Sequence, residues 1–232
     1  MKRVMLSVVL VLGLFSTARA GNGSDTVMIT MTLNKFGNVK ISLKGSGMAT
    51  VDWGNGKTTQ RFSSGVTVFT HYYFNKSNRT ITIYGQDITY LNCKGNQITS
   101  LDVSGNPALK SLQCSKNRLT DLDVSKNTAL TLLSCSKNQL TNLDVSRNNV
   151  LTNLVCDGNQ LNTLCVSKNT ALMFLNCRNN QLSAEALNNL FGTLNSAMVE
   201  GKILYIRNNS GTYTCNQKVA TDKEWKIDTS FI

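Results

Sequence analysis

Residues 109–119 read LKSLQCSKNRL, and residues 119–130 read LTDLDVSKNTAL. The first stretch fits the pattern LxxLxLxxNxL with Cys in the third apolar slot, and the second nearly repeats it with Val in that slot. The combined unit recurs with a constant period between residues 88 and 182, without an insertion. Because one unit cannot bury its own leucines, stacked units must cover one another. The pattern therefore predicts a solenoid.

Each repeat has two halves with matching columns of residues. The alternation of Leu112 and Cys114 predicts a short inward-facing strand, and one such strand per repeat forms a parallel sheet. The Asn that follows each half is suited to holding turn backbone through its side-chain amide. The columns of the first half are Leu91, Leu112, Leu133, Leu154 and Leu175, then Cys93, Cys114, Cys135, Cys156 and Cys177, then Asn96, Asn117, Asn138, Asn159 and Asn180. Those of the second half are Leu101, Leu122, Leu143 and Leu164, then Val103, Val124, Val145 and Val166, then Asn106, Asn127, Asn148 and Asn169.

These columns resemble the nested 21-residue leucine-rich repeats of bacterial proteins, broadly internalin-like in design, over residues 88–182. Such ladders need a cap at each end, since rows of Leu would otherwise face water. With the flanking segments, the predicted fold is mainly β. It is a leucine-rich-repeat solenoid with a parallel sheet, preceded by a small antiparallel β-sandwich and closed by a C-terminal cap that contains a helix.

Residues 1–20 predict a cleaved export signal. Lys2 and Arg3 precede an apolar run at residues 4–15, and residues 18–20 (Ala-Arg-Ala) fit the small-x-small cleavage rule. The run is shorter than the roughly 20 residues that a membrane span requires, so we expect a chain that does not span a membrane. It is expected to be secreted, or held at the cell surface or in the periplasm, after cleavage following Ala20. Because three of the 24 Lys and Arg leave with the leader, the formal charge falls from +11 to +8.

Residues 21–87 predict a separate β-rich domain. Segments of alternating apolar and polar residues, rich in Val, Ile, Thr and Tyr, are separated by Gly and Asn turns. They lie at residues 26–33, 37–43, 48–53, 65–70 and 79–84. Residues 51–56 (VDWGNG), residues 71–73 (HYY) and residues 80–85 (TITIYG) resemble the polycystic-kidney-disease-type β-sandwich, whose signature is an aromatic–Gly–Asp–Gly turn followed by His-x-Tyr. Asn55 stands here in place of the usual Asp.

The two ends of the repeat array differ in how they are closed. Ile88 already occupies a ladder position, so we expect a rigid joint in which the N-terminal domain caps the first repeat. At the other end, residues 183–232 predict a cap in which Ser183 starts a helix and Gly201 ends it. The apolar residues at helical spacing are Leu187, Leu190, Phe191, Leu194 and Met198. Residues 202–206 (KILYI) predict one more strand, and Trp225 is expected to close the last coil.

The composition leaves little material for catalysis. His71 is the one His among 232 residues, only three residues are Glu, and His71 is expected to be structural. The sequence contains no nucleophile elbow, no phosphate-binding glycine loop and no metalloprotease helix. We therefore expect no enzyme, no cofactor and no metal site. The outward column of Asp102, Asp123 and Asp144 could bind Ca²⁺. However, Lys126, Arg147 and Lys168 follow this column, and a self-neutralised, solvated surface is expected.

The seven Cys residues include no CxxC pair and therefore do not predict a zinc site. The five that recur with the repeat are expected to be inward-facing thiols that fill a narrow core, with disulfides or a metal as alternatives. Cys165 replaces the Asp of the outward column and should be exposed. Its pairing with Cys215 stays open, because the sequence cannot place the two thiols within disulfide distance.

The outward face of the parallel sheet is the remaining candidate for a functional site. Five strands predict a width of about 19 Å, and most outward residues are small and polar. The candidate binding residues are Tyr90, Leu132, Val155, Phe174 and Arg178; aromatic and Arg side chains dominate binding energy. We expect a non-enzymatic module that binds a partner protein across this face. The alternatives are a secreted glycan-binding protein with its site on the sandwich, and a structural surface spacer. Nucleic acid is not expected, since the basic residues are spread through the repeats.

Overall fold

The computed structural model describes residues 27–197 and 200–228. The predicted leader and Met198 lie outside these residues. Within them the chain is mainly β, with twelve strands and two helices. The strands are β1 Val27–Asn34, β2 Gly37–Asp52, β3 Thr58–Phe62, β4 Thr67–Tyr73, β5 Asn78–Asn92, β6 Ile98–Asp102, β7 Ser111–Gln113, β8 Leu132–Ser134, β9 Asn153–Val155, β10 Phe174–Asn176, β11 Ile203–Tyr205 and β12 Lys226–Asp228. The helices are α1 Ala184–Thr193 and α2 Lys218–Thr221.

The N-terminal antiparallel module is organised around two long strands, β2 and β5. The first half of β2 pairs with β4, its second half pairs with β3, and both halves pair with β5. β1 lies on the other side of β5. The sequence predicted two strands at residues 37–43 and 48–53, which are one strand here. In place of a turn between two strands, the pairing of β2 with β5 shifts its register between Lys44 and Thr50.

The module buries a compact aromatic centre. Trp53, Phe69 and Tyr73 are its largest side chains and are at most 1% exposed. The hydroxyl of Tyr73 donates to the backbone oxygen of Trp53 at 2.5 Å, so the buried phenol has a partner. The buried residues of the module and of the repeats form one continuous apolar cluster.

Strand β5 joins the module to the solenoid without a break. It runs through the predicted limit at residues 87/88, and its last residues, Tyr90 to Asn92, are the first parallel strand of the solenoid. On the other side of this segment lies β2, with Ser42 opposite Asn92. In the second half of the first repeat, β6 pairs with β1. The module therefore covers both halves of the first repeat, as a cap must.

Gly105 marks the contact between the module and the first repeat. The equivalent positions of later repeats hold Lys126, Arg147 and Lys168. A Cβ atom at Gly105 would lie 2.7 Å from the backbone oxygen of Met28 in β1. The long basic side chain that later repeats expose is excluded here because the backbone of β1 occupies its space.

The solenoid stacks its parallel strands in strict register. Leu91, Leu112 and Leu133 are direct neighbours across β5, β7 and β8, and each is fully buried. Full burial of one such Leu stabilises the fold by about 1.5–3 kcal/mol. The sheet has seven parallel strands, because β11 and β12 of the cap extend it. Its width is therefore about 29 Å, and the width predicted from five strands is too small.

Helix α1 begins where the sequence predicted. The hydroxyl oxygen of Ser183 accepts a hydrogen bond from the backbone N–H of Ala186 at 3.1 Å. The predicted end at Gly201 is wrong, since the helix ends at Thr193. The reason lies in Lys223, whose ammonium group donates to the backbone oxygens of Phe191 (3.0 Å), Gly192 (2.6 Å) and Leu194 (3.0 Å). A cation that binds the last carbonyl groups stabilises a helix terminus at that point.

Trp225 packs into the final coil, as predicted. Its side chain is 1% exposed, and its indole N–H donates to the backbone oxygen of Asn195 at 3.1 Å. The ammonium group of Lys202 lies 5.7 Å from the Trp225 ring and donates to the backbone oxygen of Ala197 at 2.7 Å. Burial lowers the pKa of Lys202. The cap thus satisfies its buried cation with backbone carbonyl groups.

Candidate interaction surface

Each repeat has a strand side and an opposite side. The strand side comprises the parallel strand and the turn up to the first Asn column, as in residues 111–117. The opposite side comprises the rest of the repeat up to the second Asn column, as in residues 118–127. The outward surface of the parallel strands is called the sheet face.

The Asn side chains of the strand side form a ladder in which the amide nitrogen and the amide oxygen of each Asn are both hydrogen-bonded. The amide of Asn138 donates to the backbone oxygens of Cys114 and Cys135 at 3.1 and 2.9 Å. Its Oδ1 accepts from the backbone N–H of Leu119 at 3.0 Å. Asn159 makes the same three contacts one repeat later. Each of these two Asn side chains therefore bonds at least three backbone groups of adjacent coils, which supports the predicted role of this column.

Asn209 adds a rung to this ladder that the sequence did not reveal. Its amide donates to the backbone oxygens of Cys177 and Ile206 at 3.0 and 2.6 Å, and its Oδ1 accepts from the N–H of Leu182 at 3.1 Å. Its spacing from Asn180 is longer than the repeat, because α1 is inserted between them. A search restricted to the period of the repeats misses it.

From Asn127 onward, the Asn side chains of the opposite side donate through the amide nitrogen but leave the amide oxygen without a partner in the described part of the chain. The amide of Asn148 donates to the backbone oxygens of Val124 and Asn127 at 3.1 and 2.9 Å. Its Oδ1 is buried and has no hydrogen-bond partner within the described part of the chain, and the same holds for Asn127 and Asn169. The two ladders share a period and a residue type, but the opposite side leaves an acceptor unused in each of these three rungs.

The Asp column of the opposite side holds its own turns. Oδ1 of Asp102, Asp123 and Asp144 each accepts from the backbone N–H two residues later at 2.8 Å. For Asp123, the hydrogen bond from the Ser125 backbone is the main cause of a lowered pKa, and Lys126 adds a smaller electrostatic effect. The sequence attributed this column to charge neutralisation alone, and the turn hydrogen bond is the larger effect.

The five column thiols are buried, which confirms their predicted orientation. All five are 0% exposed, and none forms a disulfide. Burial raises the pKa of Cys93 and Cys177 to about 12, and the three thiols between them are raised as well. Cys165 is exposed, as predicted, and hydrogen bonding to Ser167 lowers its pKa. Cys215 is half-buried and also free.

Most polar side chains at the centre of the sheet face bond to one another across strands. Ser136 donates to a carboxylate oxygen of Asp157 at 2.6 Å, and the amide of Asn176 donates to the same oxygen at 3.2 Å. The hydroxyl groups of Ser115 and Ser134 lie 2.8 Å apart. These contacts hold the outward residues in fixed positions, which a preformed binding surface requires.

Three side chains form a cluster at the C-terminal end of the sheet face, and we call it the anchor cluster. The ring centroids of Phe174 and Tyr205 are 5.5 Å apart, and the guanidinium carbon of Arg178 lies 4.2 Å from the Tyr205 centroid. All three side chains are partly exposed. Nε and Nη2 of Arg178 are buried and have no hydrogen-bond partner among residues 27–197 and 200–228.

The structure places the other predicted site residues on the same face, away from this cluster. Leu132 and Val155 lie on β8 and β9, and both are partly exposed. Tyr90 lies four strands from Phe174, about 19 Å away across the sheet. The sequence pattern did not indicate Tyr205 as a site residue. The strand at residues 202–206 was predicted, but its outward residues were not counted as part of the face.

The sheet face continues onto the module. Ser42 lies opposite Asn92, so side chains of β2 project to the same side as those of the first parallel strand. Beyond β2 lies β4, with Thr70 opposite Lys40. The hydrogen-bonded face therefore runs from β4 through β2 and β5 to β12. Because these pairings join residues distant in sequence, no local pattern predicted the extension.

His71 lies among the residues that carry the resemblance to a sandwich domain. Its ring stacks on Trp53 at 5.0 Å between centroids and contacts Tyr73 at 4.6 Å. Its Nε2 is 3.0 Å from the side-chain nitrogen of Asn55. Burial is the main cause of a lowered pKa at His71. These contacts fit the predicted structural role.

Two surface depressions lie on the opposite side. One of about 540 Å³ is lined by residues that include Asp144, Cys165 and Thr193, and one of about 570 Å³ lies near Asp102 and Asp123. The carboxylates of Asp102, Asp123 and Asp144 already accept turn hydrogen bonds. Within the described ranges, no three His, Cys, Asp or Glu side chains are grouped to hold a metal ion. In the same ranges, no helix is both long and apolar enough to cross a membrane.

Comparisons with known proteins return leucine-rich-repeat structures. No protein-family model and no curated protein matches the chain. InlJ of Listeria monocytogenes, whose structure is described as including a cysteine ladder, is 33% identical over 58% of this chain, with a TM-score of 0.45. A leucine-rich-repeat protein of Leptospira interrogans is 21% identical over 54% (TM-score 0.41), and internalin C2 of Listeria monocytogenes is 17% identical over 62% (TM-score 0.37). The matches span 33%, 38% and 77% of those chains.

Proposed function

We propose that this protein is an exported, non-enzymatic module that binds a partner protein on the sheet face. The observation that carries the proposal is the anchor cluster of Phe174, Tyr205 and Arg178. Aromatic and Arg side chains that are partly exposed and held by neighbours are the residues that most often dominate interface energies. They stand on a sheet whose other polar groups are mutually bonded.

Arg178 supports a specific kind of contact. Its guanidinium carbon lies over the Tyr205 ring, which fixes the plane of the group. A guanidinium presents a planar fork of donors that matches a carboxylate. Because Nε and Nη2 of Arg178 are buried, we propose that a partner carboxylate, from Asp or Glu, docks beside Phe174 and pairs with the positive charge of the partly exposed guanidinium group.

The opposite side is the less suitable surface. Its Asp side chains bond their own turns, as Asp123 bonds the N–H of Ser125. Its outward basic column of Lys126, Arg147 and Lys168 is uniform and contains no aromatic residue. This side supports a role as a solvated, structural surface.

The size of the sheet face determines how binding energy is distributed. Seven strands of about three residues each give a surface roughly 29 Å by 10 Å. A standard interface buries about 800 Å² on each partner. We therefore propose that affinity rests on the anchor cluster and the adjoining turns, with Leu132, Val155 and Tyr90 as secondary contacts.

Export and domain limits are further parts of the proposal. We propose that residues 1–20 direct export, and that the mature chain consists of a sandwich-like module (21–87), repeats (88–182) and a cap (183–232). The resemblance of the module to the polycystic-kidney-disease type belongs to the same proposal. Amino-terminal sequencing of the exported protein tests the leader, since cleavage after Ala20 leaves Gly21 as the first residue.

Site-specific photo-crosslinking tests the surface. A photoreactive side chain at Asn153, between Leu132 and Phe174 on the face, is expected to capture the partner in its native environment. The same group at Lys126 on the opposite side is the matched control and is expected to capture little. Capture at Lys126 without capture at Asn153 contradicts the proposal.

A further inference from the structure

An exposed aromatic cluster lies at the module end of the sheet face. The ring centroids of Phe36 and Tyr72 are 5.8 Å apart, and those of Tyr72 and Phe74 are 4.9 Å apart. Their exposed fractions are 53%, 42% and 83%. Three adjacent aromatic side chains left in water mark a binding site more often than an accident of surface composition.

A basic depression lies beside this cluster, at the joint between module and solenoid. It has a volume of about 200 Å³ and is lined by Lys40, Ser42, Asn92 and Lys94. None of these four residues is acidic. The ammonium group of Lys35 is close by, because it donates to the backbone oxygen of Gly95 at 3.1 Å. The depression therefore combines positive charge with neutral hydrogen-bonding groups.

Strand register places the aromatic cluster and the depression side by side. Asn38 lies opposite Tyr72 and Lys40 lies opposite Thr70 on the paired strands β2 and β4. Lys40 and Tyr72 are thus diagonal neighbours on one face, about 7–8 Å apart. The charge of the surrounding module has the same sign, since residues 27–87 contain seven Lys and Arg against two Asp.

We propose that this module-end site binds an acidic polysaccharide built of uronic-acid units. The C–H faces of the sugar rings pack on the rings of Tyr72 and Phe74, whose π faces are negative. The carboxylates of successive units bind the ammonium groups of Lys40 and Lys94. The side chains of Asn38 and Ser42 supply hydrogen bonds to sugar hydroxyl groups.

This ligand class follows from the combination of groups. A purely anionic ligand would need the lysines but would leave the aromatic cluster unused. A neutral glycan would use the rings but not the basic depression, which carries no carboxylate of its own. The site lies at the end of the face remote from the anchor cluster, so it is independent of the protein partner proposed above.

Binding of polygalacturonate to the full chain tests the proposal. Saturable binding is expected, and it should weaken as salt rises because charge contributes. Phe74→Ala and Lys94→Ala should each lower the affinity about fivefold or more. Phe62→Ala and Lys126→Ala are the matched controls, since Phe62 is also exposed (66%) and lies outside the cluster. The controls and Phe174→Ala should leave binding unchanged.

Three further probes separate the contributions. Fully methyl-esterified polygalacturonate keeps the sugar rings and loses the charge, and polyglutamate keeps carboxylates and lacks the rings. Both are expected to bind about tenfold or more weakly. Vesicles with anionic lipid are expected not to compete. Absence of polygalacturonate binding, equal binding of polyglutamate or vesicles, or equal losses in the control variants would each overturn the proposal.

Discussion

The strand side and the opposite side of the repeats share one period, and each has a column of Asn residues. The Asn side chains make different hydrogen bonds on the two sides. On the strand side, Asn138 ties three backbone groups and its outward neighbours differ from coil to coil. On the opposite side, the amide of Asn148 bonds two backbone oxygens, and the outward residues near it are of similar type in each coil. The more completely bonded half of the coil thus carries the more varied residues. A rigid frame is what a set of binding side chains requires.

Thiol reactivity should differ most between the two sides. Hydrogen bonds to Ser167 lower the pKa of exposed Cys165, so its thiolate forms at lower pH than that of an ordinary cysteine. Burial raises the pKa of Cys135 and excludes reagent. Native alkylation followed by mass spectrometry should modify Cys165 more than about a hundredfold faster than the buried column. Rapid labelling of the column, or its recovery as disulfides, contradicts this packing.

Stability should distinguish the two Asn ladders. Asn138→Ala leaves the buried N–H of Leu119 without its acceptor. It also removes one of the two Asn donors from each of the backbone oxygens of Cys114 and Cys135, and we expect a total cost of about 2–3 kcal/mol. Asn148→Ala removes one of two donors from each of the backbone oxygens of Val124 and Asn127, which keep their turn hydrogen bonds. It orphans no N–H group and removes an Oδ1 that has no partner among the described residues, so we expect a cost about 1 kcal/mol smaller. Urea unfolding of both variants measures the difference. Equal costs would show that the second ladder is as fully bonded as the first.

Serine in place of cysteine should give a smaller contrast. Cys135→Ser puts a hydroxyl group into a fully buried apolar position, and we expect a loss of about 2 kcal/mol in the free energy of unfolding. Cys165→Ser is the control at an exposed position and should change stability by less than about 0.5 kcal/mol. Thermal unfolding followed by circular dichroism measures both. A large loss at Cys165 would contradict the equivalence of its side chain with the exposed Asp column.

The Asp turns should contribute least. Asp123→Ala removes an exposed turn hydrogen bond and is expected to cost about 0.5 kcal/mol at pH 7. Because the pKa of Asp123 is lowered in the fold, its contribution is present above the unfolded pKa of about 3.9 and is lost as pH falls through the folded pKa. Denaturant midpoints of the wild type and the variant should therefore converge near pH 2. A difference that persists there would mean that the protonated side chain still holds the turn.

The sequence predicted the repeats well, because every coil has the same residue types at the same positions. Leu112, Cys114 and Asn117 have fixed roles that return with the period, and the N-cap of α1 at Ser183 is a local signal. The end of α1 was not predictable, since it depends on Lys223, which lies far beyond the helix in the chain. Local helix propensity cannot indicate a capping residue that lies close to the helix end only in the folded chain.

The candidate site was only partly predictable for the same reason. Phe174 and Arg178 follow from the strand pattern, because outward positions alternate with buried ones. Tyr205 joins them only through the pairing of β10 with β11 across the inserted helix. The continuation of the face onto β2 and β4 depends on antiparallel pairing of Ser42 with Asn92, which are distant in sequence. No periodicity relates these residues.

The decisive comparison is a binding titration of two variants of the full chain with the partner that photo-crosslinking identifies. Phe174→Ala, on the strand side, is expected to weaken binding by more than about 1 kcal/mol, or roughly fivefold in Kd, with the circular dichroism spectrum unchanged. Lys126→Ala, on the opposite side, is expected to leave Kd unaltered. If neither variant changes Kd, or if Lys126→Ala weakens binding as much as Phe174→Ala, the sheet face is not the binding site.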